Sequence, residues 1–490
     1  MGLLIGDVIR HAARVAPDGL AATLGDAEIT FGEVDRRANQ VAHALTGLGV
    51  GHRDRVAWWS ETTLDAMPIF AGLAKLGAMF MPVNARLGAD EGEEVIGYAK
   101  PRLLVVDAAH AQLVEEWDVP IVTHADLFAA ADGASTADVV TPELSERDTH
   151  VIFFTSGSTG RSKGVVLSHR TSFLRSFPNL LADDAGGTVC MFPLFHMAGW
   201  SMTLNAWQER VPVHLVASAD ADTLLSTAER RRASRLYHIP AVWNRVLAHD
   251  YSRYDLSSVR ECDTGTSATP PELLAAIKAA FPGTVTRVYY GSTEAGPATL
   301  LADADLARKP GSVGRPSPTV DVCLDDGEVC VRSEVLMDGY FEQPEATAAA
   351  LTALEPGGPL WYRTGDLGEV DDAGYFSIVG RARDVLRTGG ETVAPGEVEA
   401  VVGAHPAVVE VAVVGMPDPE WGEVVCAVLV VAEGADAPTL DALRAHCDGR
   451  LAAFKHPRRV EVVDALPRTA ATGQIQRSLL IERLRTTTEA

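Results

Sequence analysis

The sequence is short of paired cysteines and of positive charge, and each shortage excludes a class of protein. None of the cysteines forms a CxxC pair or has metal-ligand spacing with histidine, so we expect reduced, buried thiols in a cytoplasmic protein. These are the six residues Cys190, Cys262, Cys323, Cys330, Cys426 and Cys447. The formal net charge of −24 argues against a nucleic-acid partner, because such proteins need a broad basic surface.

Long apolar runs are also missing. No run of about 18 apolar residues is present, which predicts no bilayer-spanning helix. The N-terminal residues contain no apolar segment followed by a small-residue cleavage site. We therefore expect a cytoplasmic chain that has no membrane partner.

Alternating strand and helix patterns dominate what is present. With 490 residues, 47% hydrophobic and 22% charged, the chain has the composition of a soluble protein of two or three domains. Thr30 and Glu33 have capping-box spacing ahead of a helical apolar pattern. Apolar runs at 56–59 and 79–83 flank a helical pattern at 64–76. This alternation predicts an α/β fold with buried parallel sheets flanked by helices.

A change of character near residue 380 predicts a domain boundary. Residues 381–392 are charged and rich in glycine, as a hinge would be, and a compact α/β set follows. We predict a large domain over residues 1–380, a hinge at 381–384 and a small domain over 385–490.

A loop of small hydroxyl and glycine residues follows a predicted strand at 150–155. Its residues are Thr155, Ser156, Gly157, Ser158, Thr159, Gly160, Arg161, Ser162, Lys163 and Gly164. Glycines allow backbone N–H groups to approach a phosphate, hydroxyls donate further hydrogen bonds, and Lys163 adds charge. A Walker A pattern cannot be laid over this segment, so the sequence predicts a phosphate cradle of another kind.

This loop resembles the phosphate loop of the adenylate-forming superfamily, which includes acyl-CoA synthetases, firefly-luciferase-type enzymes and peptide-synthetase adenylation domains. The resemblance continues along nearly the whole chain. It implies an α/β fold with a large N-terminal domain of layered sheets flanked by helices and a small mobile α/β C-terminal domain. It also implies ATP or AMP, CoA and Mg²⁺ as cofactors, and a carboxylic acid or its acyl-adenylate as substrate.

The same resemblance assigns roles around the nucleotide. Tyr290 would stack on adenine, Thr293 would meet the α-phosphate as a catalytic residue, and Glu294 would hold Mg²⁺ together with Thr159. Asp366 and Arg381 would bind the ribose, and Asp384 would be the pivot between the domains. The implied nucleotide site also includes the phosphate loop with Gly265, Thr266, Ser267, Tyr289, Gly291, Ser292 and Ile378.

Further segments resemble the acyl and CoA sites of the family. His196 would gate the substrate carboxylate, and Trp200 and Tyr237 would line the acyl pocket, although packing in the core is the alternative for the tryptophan. Gly389, Gly390 and Glu391 would approach the pantetheine arm of CoA. No aspartate is placed to pair a substrate amine, which favours a plain carboxylic acid.

The chain departs from the family at one catalytic position. The C-terminal motif of the family runs Pro-Arg-Thr, two further residues, then Gly-Lys, whereas this chain has three residues between Thr469 and Gly473 and then Gln474. Carboxylate attack on ATP brings two anions together, and glutamine carries no charge to stabilise that transition state. By analogy with loss of one preorganised donor, adenylation should slow by roughly 10²–10³-fold, while thioester formation should tolerate glutamine.

Several alternatives stay open at this point. The chain could be specialised for the second half-reaction and take its acyl-adenylate from a separate adenylating enzyme. It could be a ligase mutated at the lysine, or a complete ligase in which Lys163 or Lys455 substitutes. A non-catalytic binding protein, an acyltransferase to a carrier protein and a homodimer are further options.

Overall fold

The computed structural model describes residues 2–155, 162–176, 186–388, 391–419, 421–432, 434–469 and 474–488. The chain divides into two compact units. Unit 1 comprises Met1–Pro310, Pro316–Asp321 and Val331–Tyr362, and unit 2 comprises Gly311–Arg315, Val322–Cys330 and Arg363–Ala490. Within the described ranges, none of the helices has the length and apolar character needed to cross a bilayer.

The helices are spread along the whole chain. They are α1 (Ile5–Val15), α2 (Phe31–Gly47), α3 (Ala66–Leu76), α4 (Ala89–Ala99), α5 (Ala108–Ala111), α6 (His124–Asp132), α7 (His169–Arg175), α8 (Met197–Glu209), α9 (Ala221–Arg231), α10 (Pro240–Ala248), α11 (Pro271–Ala280), α12 (Pro344–Ala350), α13 (Pro395–Val402), α14 (Leu440–Cys447) and α15 (Arg477–Thr488).

The strands alternate with them. They are β1 (Leu20–Leu24), β2 (Ala27–Thr30), β3 (Arg55–Trp59), β4 (Met79–Val83), β5 (Leu103–Val106), β6 (Ile121–Thr123), β7 (Thr149–Thr155), β8 (Lys163–Ser168), β9 (Thr188–Cys190), β10 (Val213–Leu215), β11 (Arg235–Tyr237), β12 (Glu261–Gly265), β13 (Val285–Ser292), β14 (Gly296–Leu301), β15 (Arg315–Pro316), β16 (Val320–Asp325), β17 (Glu328–Ser333), β18 (Gly339–Tyr340), β19 (Leu351–Ala353), β20 (Leu360–Val370), β21 (Phe376–Arg381), β22 (Leu386–Thr388), β23 (Glu391–Val393), β24 (Val408–Asp418), β25 (Gly422–Val431) and β26 (Arg459–Val462).

Two large sheets organise unit 1. One has the order β15-β14-β13-β12-β11-β9-β10-β1-β2, and the other has the order β18-β8-β7-β4-β3-β5-β6. In the first, β1 and β9 to β13 run parallel where they pair, and antiparallel strands lie outside them. The predicted α/β class with buried parallel sheets is confirmed.

Local sequence signals account for the elements of unit 1. The predicted capping box at Thr30 and Glu33 is present and begins α2. The run at 56–59 is fully buried within β3, and the helical pattern at 64–76 becomes the buried helix α3. A strand with apolar residues on both faces has to be covered by helices, which explains why these segments lie in the interior.

A mixed sheet of five strands, β22 to β26, forms the centre of the last hundred residues of unit 2. Its order is β23-β22-β25-β24, with β26 parallel to β25. Alternate residues of β25 enter two separate cores. Val425, Ala427 and Leu429 pack with Val398 of α13 and Leu443 of α14. On the opposite face, Val424, Cys426 and Val428 pack with Leu480 and Leu484 of α15.

The units differ from the predicted division at residue 380. Besides the predicted hinge and small domain, unit 2 takes in Gly311–Arg315, Val322–Cys330 and residues 363–380, which the sequence placed in the large domain. A second five-stranded sheet, with the order β16-β17-β20-β19 and β21 beside β20, explains the difference. Strand pairing joins segments that are far apart in sequence. A single domain boundary in the sequence cannot describe a unit made of such segments.

Candidate active site

Several predicted site residues lie where parallel strands of the nine-stranded sheet end. Tyr237 ends β11, Gly265 ends β12, and Tyr289 lies near the end of β13. The registers place Tyr237 opposite Asp263 and Gly265 opposite Tyr289. Carboxyl ends of parallel strands meet at one edge of a sheet, which is where α/β proteins commonly bind ligands.

Gly265 occupies a position where no side chain fits. An added Cβ would lie 2.4 Å from the Tyr289 carbonyl oxygen and 2.7 Å from the Tyr237 hydroxyl oxygen. The next residue, Thr266, has a φ of 67°, a left-handed conformation that is rare for a β-branched residue. The Thr266 hydroxyl donates to the Gly265 carbonyl over 2.6 Å. Close packing and backbone strain therefore coincide at this edge.

A buried charge cluster lies beside these strand ends. The Asp263 side chain is 0% exposed and accepts from Arg235 Nε at 2.7 Å and from Arg287 Nε at 2.9 Å. Glu261 pairs with both arginines as well. Two arginines and two carboxylates thus pair with one another in this cluster.

Aromatic rings form a continuous row along this edge. Phe192 stacks with His196 at 5.6 Å between ring centroids and lies 5.8 Å from Tyr237, which lies 5.9 Å from Tyr289. Burial lowers the pKa of His196 to about 4, so this imidazole is neutral at pH 7. Burial, with the Asp263 carboxylate, raises the pKa of Tyr289 to about 12. The row thus offers neutral, largely apolar surface.

Trp200 has a packing role in the structure. Its ring stacks on Phe70 with centroids 3.9 Å apart, and its indole N–H donates to the Leu194 carbonyl over 2.6 Å. Trp207 and Trp243 are buried in the same way, with N–H groups satisfied by backbone carbonyls. His196 caps the start of α8 by accepting from the Ala198 N–H.

A tight turn between β13 and β14 carries Thr293 and Glu294. An added Cβ at Gly291 would lie 2.1 Å from the Gly296 carbonyl oxygen, and Gly296 itself has a φ of 70°. The Arg175 guanidinium, at the end of α7, donates to the carbonyls of Thr293 at 2.6 Å and Glu294 at 2.8 Å. Its Nε donates to the Val335 carbonyl at 2.6 Å. Arg175 therefore fixes the backbone of this turn.

The Glu294 carboxylate is engaged by Tyr340. The Tyr340 hydroxyl donates to Glu294 Oε1 over 3.1 Å, and the Lys163 ammonium lies 4.7 Å above the centre of the same ring. Tyr340 is buried in β18, which pairs with β8 beyond Lys163. Burial and the nearby Glu294 carboxylate raise the pKa of both Tyr340 and Tyr362.

The β7–β8 hairpin brings the two ends of the predicted phosphate loop together. Thr155 and Lys163 are register partners, and the Thr155 hydroxyl donates to the Lys163 carbonyl over 3.5 Å. The loop residues Ser156, Gly157, Ser158, Thr159 and Gly160 lie outside the described residues, as do Gly389 and Gly390.

In unit 2 the predicted ribose residues are paired across two strands. Asp366 of β20 is the register partner of Arg381 of β21, and Arg381 Nε lies 2.9 Å from Asp366 Oδ1. Ile378 is partly buried farther along the same strand pair. Asp384 accepts from Arg477 Nη1 at 3.2 Å, and Glu399 accepts from Arg477 Nη2 at 2.6 Å. The predicted pivot is therefore tied to the first residue of α15.

The backbone of Gln474 is paired with Thr469. Its N–H donates to the Thr469 hydroxyl at 3.1 Å, and its carbonyl accepts from the Thr469 N–H at 2.8 Å. An antiparallel bridge between Arg468 and Ile475 encloses this pair. Gln474 is exposed within unit 2.

Three cations of unit 2 that lie near Gln474 in sequence have carboxylate partners. Arg468 pairs with Glu410 at 2.8 Å. Lys455, one of the two predicted substitutes for the missing lysine, pairs with Glu397. Arg477 is bound as described above. Each of these cations is therefore already engaged by a carboxylate within unit 2.

The donor set fits a magnesium ion held mainly by a nucleotide. No group of three or more His, Cys, Asp and Glu residues with metal-binding geometry occurs in the described part of the chain. The second carboxylate oxygen of Glu294 has no hydrogen-bond partner among the described residues, since only Oε1 meets Tyr340. Mg²⁺ typically binds through one or two carboxylates together with substrate phosphates and water, which this arrangement suits.

Comparison with known proteins places these features in a family of enzymes that bind AMP. A family model described as "AMP-binding enzyme" matches residues 9–341, and one described as "AMP-binding enzyme C-terminal domain" matches residues 397–472. The first match alone covers more than half of the chain. The chain belongs to the AMP-binding enzyme family, as the sequence resemblance implied.

Relatives match over nearly their whole length. The long-chain-fatty-acid–CoA ligase FadD13 of Mycobacterium tuberculosis is 33% identical, with 98% of each chain covered. The feruloyl-CoA synthase of an Amycolatopsis species is 33% identical, with 94% of this chain and 95% of the relative covered. The ATP-bound structure of MatB from Rhodopseudomonas palustris matches with a TM-score of 0.87 and 28% identity over 98% of this chain and 99% of that chain.

Sequence reasoning missed the residues that support the site. Arg175, Asp263 and Tyr340 carry no local signal, because their partners lie far along the chain. Arg175, for instance, reaches carbonyls 118 and 160 residues away. A basic residue at the end of a short helix predicts a surface position, and only the fold shows that this one holds the Glu294 turn.

Proposed function

We propose that this chain forms acyl-CoA thioesters and is weak in the ATP-dependent step that makes the acyl-adenylate. In the first half-reaction a carboxylate oxygen attacks the α-phosphorus of ATP, and pyrophosphate leaves. In the second, the thiolate of CoA attacks the carbonyl carbon of the adenylate, and AMP leaves. The chain would be well equipped for the second and poorly equipped for the first.

Gln474 is the observation that carries the proposal. Its backbone is tied to Thr469, and the sequence resemblance aligns it with the position where the family carries its lysine. A neutral amide offers hydrogen bonds but no charge to the anionic transition state of adenylation. The pairing of Lys455 with Glu397 and of Arg468 with Glu410 argues against a substitute from these neighbours. We expect a loss of about 10²–10³-fold in adenylation.

The nucleotide would bind through the residues that the sequence resemblance assigns to it. Lys163 and the hairpin loop would meet the phosphates, Tyr290 the adenine, and Asp366 with Arg381 the ribose. Glu294 would hold Mg²⁺, which would neutralise phosphate charge when bound. Gly389, Gly390 and Glu391 would approach the pantetheine arm. A separate enzyme would then supply the adenylate.

The acyl group would carry no charge. Phe192, His196, Tyr237 and Tyr289 provide a row of neutral rings. The two arginines behind them are already paired with carboxylates in the Asp263 cluster, which argues against a second carboxylate on the acyl group. Apolar pockets with few polar groups select by shape and area, so the relevant acids are those with an aliphatic or aromatic body. Fatty and phenylpropenoic acids, as in the relatives, belong to this class.

The test separates the two half-reactions on one preparation. Purified protein receives synthetic acyl-adenylates and CoA, and the thioester is followed by mass. The same acids are then supplied with ATP and labelled pyrophosphate, and the exchange is followed. The proposal expects thioester formation from the supplied adenylate. Pyrophosphate exchange should be slower than that reaction by about two orders of magnitude. Exchange at a rate that matches thioester formation would identify a complete ligase, whereas nucleotide binding without either reaction would identify a binding protein.

A further inference from the structure

We propose that Tyr340 is a positioning residue that sets the distance between the Lys163 cation and the Glu294 carboxylate. This inference rests on the proposed function, in which both groups meet the nucleotide phosphates. The ring of Tyr340 faces the Lys163 ammonium at 4.7 Å, and its hydroxyl donates to Glu294 Oε1 at 3.1 Å. One rigid side chain thus touches both charged groups through different atoms.

The position of Tyr340 is itself fixed by the surrounding fold. Its N–H donates to the Thr347 hydroxyl over 2.9 Å, and register pairing with Val165 aligns it beside β8. Gly339 has a φ of 143°, and an added Cβ there would lie 2.9 Å from Thr347 Cγ2. Because a tyrosine side chain has only two rotatable angles before its hydroxyl, these constraints leave the ring little freedom.

The backbone of Glu294 is held independently from the other side. Arg175 donates to the Thr293 and Glu294 carbonyls, and the Met337 N–H donates to the Glu294 carbonyl at 2.8 Å. With the backbone fixed, the remaining freedom of Glu294 is in its side chain. Within the described ranges, the Tyr340 hydroxyl donates a hydrogen bond to one oxygen of that side chain, which leaves the other oxygen for a metal ion.

The orientation of the Glu294 carboxylate should affect how Mg²⁺ strengthens nucleotide binding. A carboxylate oriented in advance binds a metal ion without first losing rotamer freedom, which is the benefit of a supporting shell around a ligand. Removing the hydroxyl of Tyr340 while keeping its ring should weaken the effect of Mg²⁺ on nucleotide binding. Binding of the metal-free nucleotide should change little, because the ring beneath Lys163 is retained.

The test measures nucleotide affinity without catalysis. The α,β-methylene analogue of ATP is titrated into the full chain by calorimetry, once with Mg²⁺ and once with EDTA. For Tyr340→Phe we expect the ratio of the two affinities to fall about tenfold, as for loss of a hydrogen bond to a charged group, with the EDTA value within about twofold of wild type. Tyr340→Leu, which also removes the ring, should weaken binding in EDTA as well.

A matched control is available in the same unit. The Tyr254 hydroxyl also donates to a carboxylate, that of Asp222, and Tyr254→Phe should leave the affinity ratio unchanged. An unchanged ratio in Tyr340→Phe, or an equal fall in Tyr254→Phe, would overturn the inference. Wild-type protein that binds the analogue without any preference for Mg²⁺ would overturn it too, while leaving the thioester assay to decide the proposed function. Absence of analogue binding in wild type would also overturn the inference and would again leave the thioester assay to decide the proposed function.

Discussion

Replacing Asp263 of the buried charge cluster with asparagine should cause a large loss of stability. Asp263→Asn keeps the side-chain shape but removes the charge that faces Arg235 and Arg287. Because Asp263 is 0% exposed, water cannot replace it, and Glu261 would be the ion-pair partner left to the two guanidinium groups in this cluster. Breaking a buried ion pair by removing one partner costs about 3–5 kcal/mol. Asparagine can still accept one hydrogen bond, so we expect about 3 kcal/mol.

Urea unfolding followed by tryptophan fluorescence measures this loss. All tryptophans except Trp421 lie in unit 1, so the signal reports mainly on the unit that contains Asp263. With an m-value of about 3 kcal/mol/M, the midpoint should fall by about 1 M. Asp26→Asn is the control, since Asp26 pairs with Arg230 but its side chain is 96% exposed. That change should cost at most about 0.5 kcal/mol. A loss below about 1 kcal/mol for Asp263→Asn would refute the reasoning.

Two further results are expected. Gly265→Ala should destabilise unit 1 by about 1–3 kcal/mol, since the new methyl group would overlap Tyr289 and Tyr237. The control Gly133→Ala has open space around the new methyl group, so its stability should stay within about 0.5 kcal/mol of wild type. Equal losses of stability for the two variants in urea unfolding would contradict this prediction. Burial lowers the pKa of His169 to about 4, so the folded state binds fewer protons than the unfolded state between that value and 6.5. Stability should therefore fall with acid across this range, by up to about 3 kcal/mol from this residue. The slope of the free energy of unfolding against pH should flatten across this range in His169→Gln. It should not change in His11→Gln, the control at an exposed position.

The fold could be predicted where signals are local. The capping box at Thr30 and the buried strand at β3 both follow from residue spacing within one element. The division into units could not, because the pairing of β16, β17 and β20 depends on contacts between distant segments.

The same distinction applies to the site. Glu294, Asp366 and Arg381 were found from ordered motifs, and the structure pairs the last two directly. Their roles toward the nucleotide stay predictions. Arg175 and Tyr340 could not be found, because nothing in the neighbouring sequence shows that a helix end and a two-residue strand meet the Glu294 turn. Which residues support a site depends on tertiary contacts, so these residues show no characteristic spacing in the sequence.

The most direct test of the central claim is pyrophosphate exchange in Gln474→Lys. A second variant also deletes Ala471, which restores the spacing of the family motif, and Gln476→Lys adds the same charge at an exposed position two residues away. The account predicts that restoring the lysine raises acid-dependent pyrophosphate exchange by about 10²–10³-fold in at least one of the first two variants. Thioester formation from a supplied adenylate should stay within about threefold of wild type in these variants. Gln476→Lys should show no gain in exchange. Exchange in the wild-type chain that already equals that of both lysine variants would contradict it.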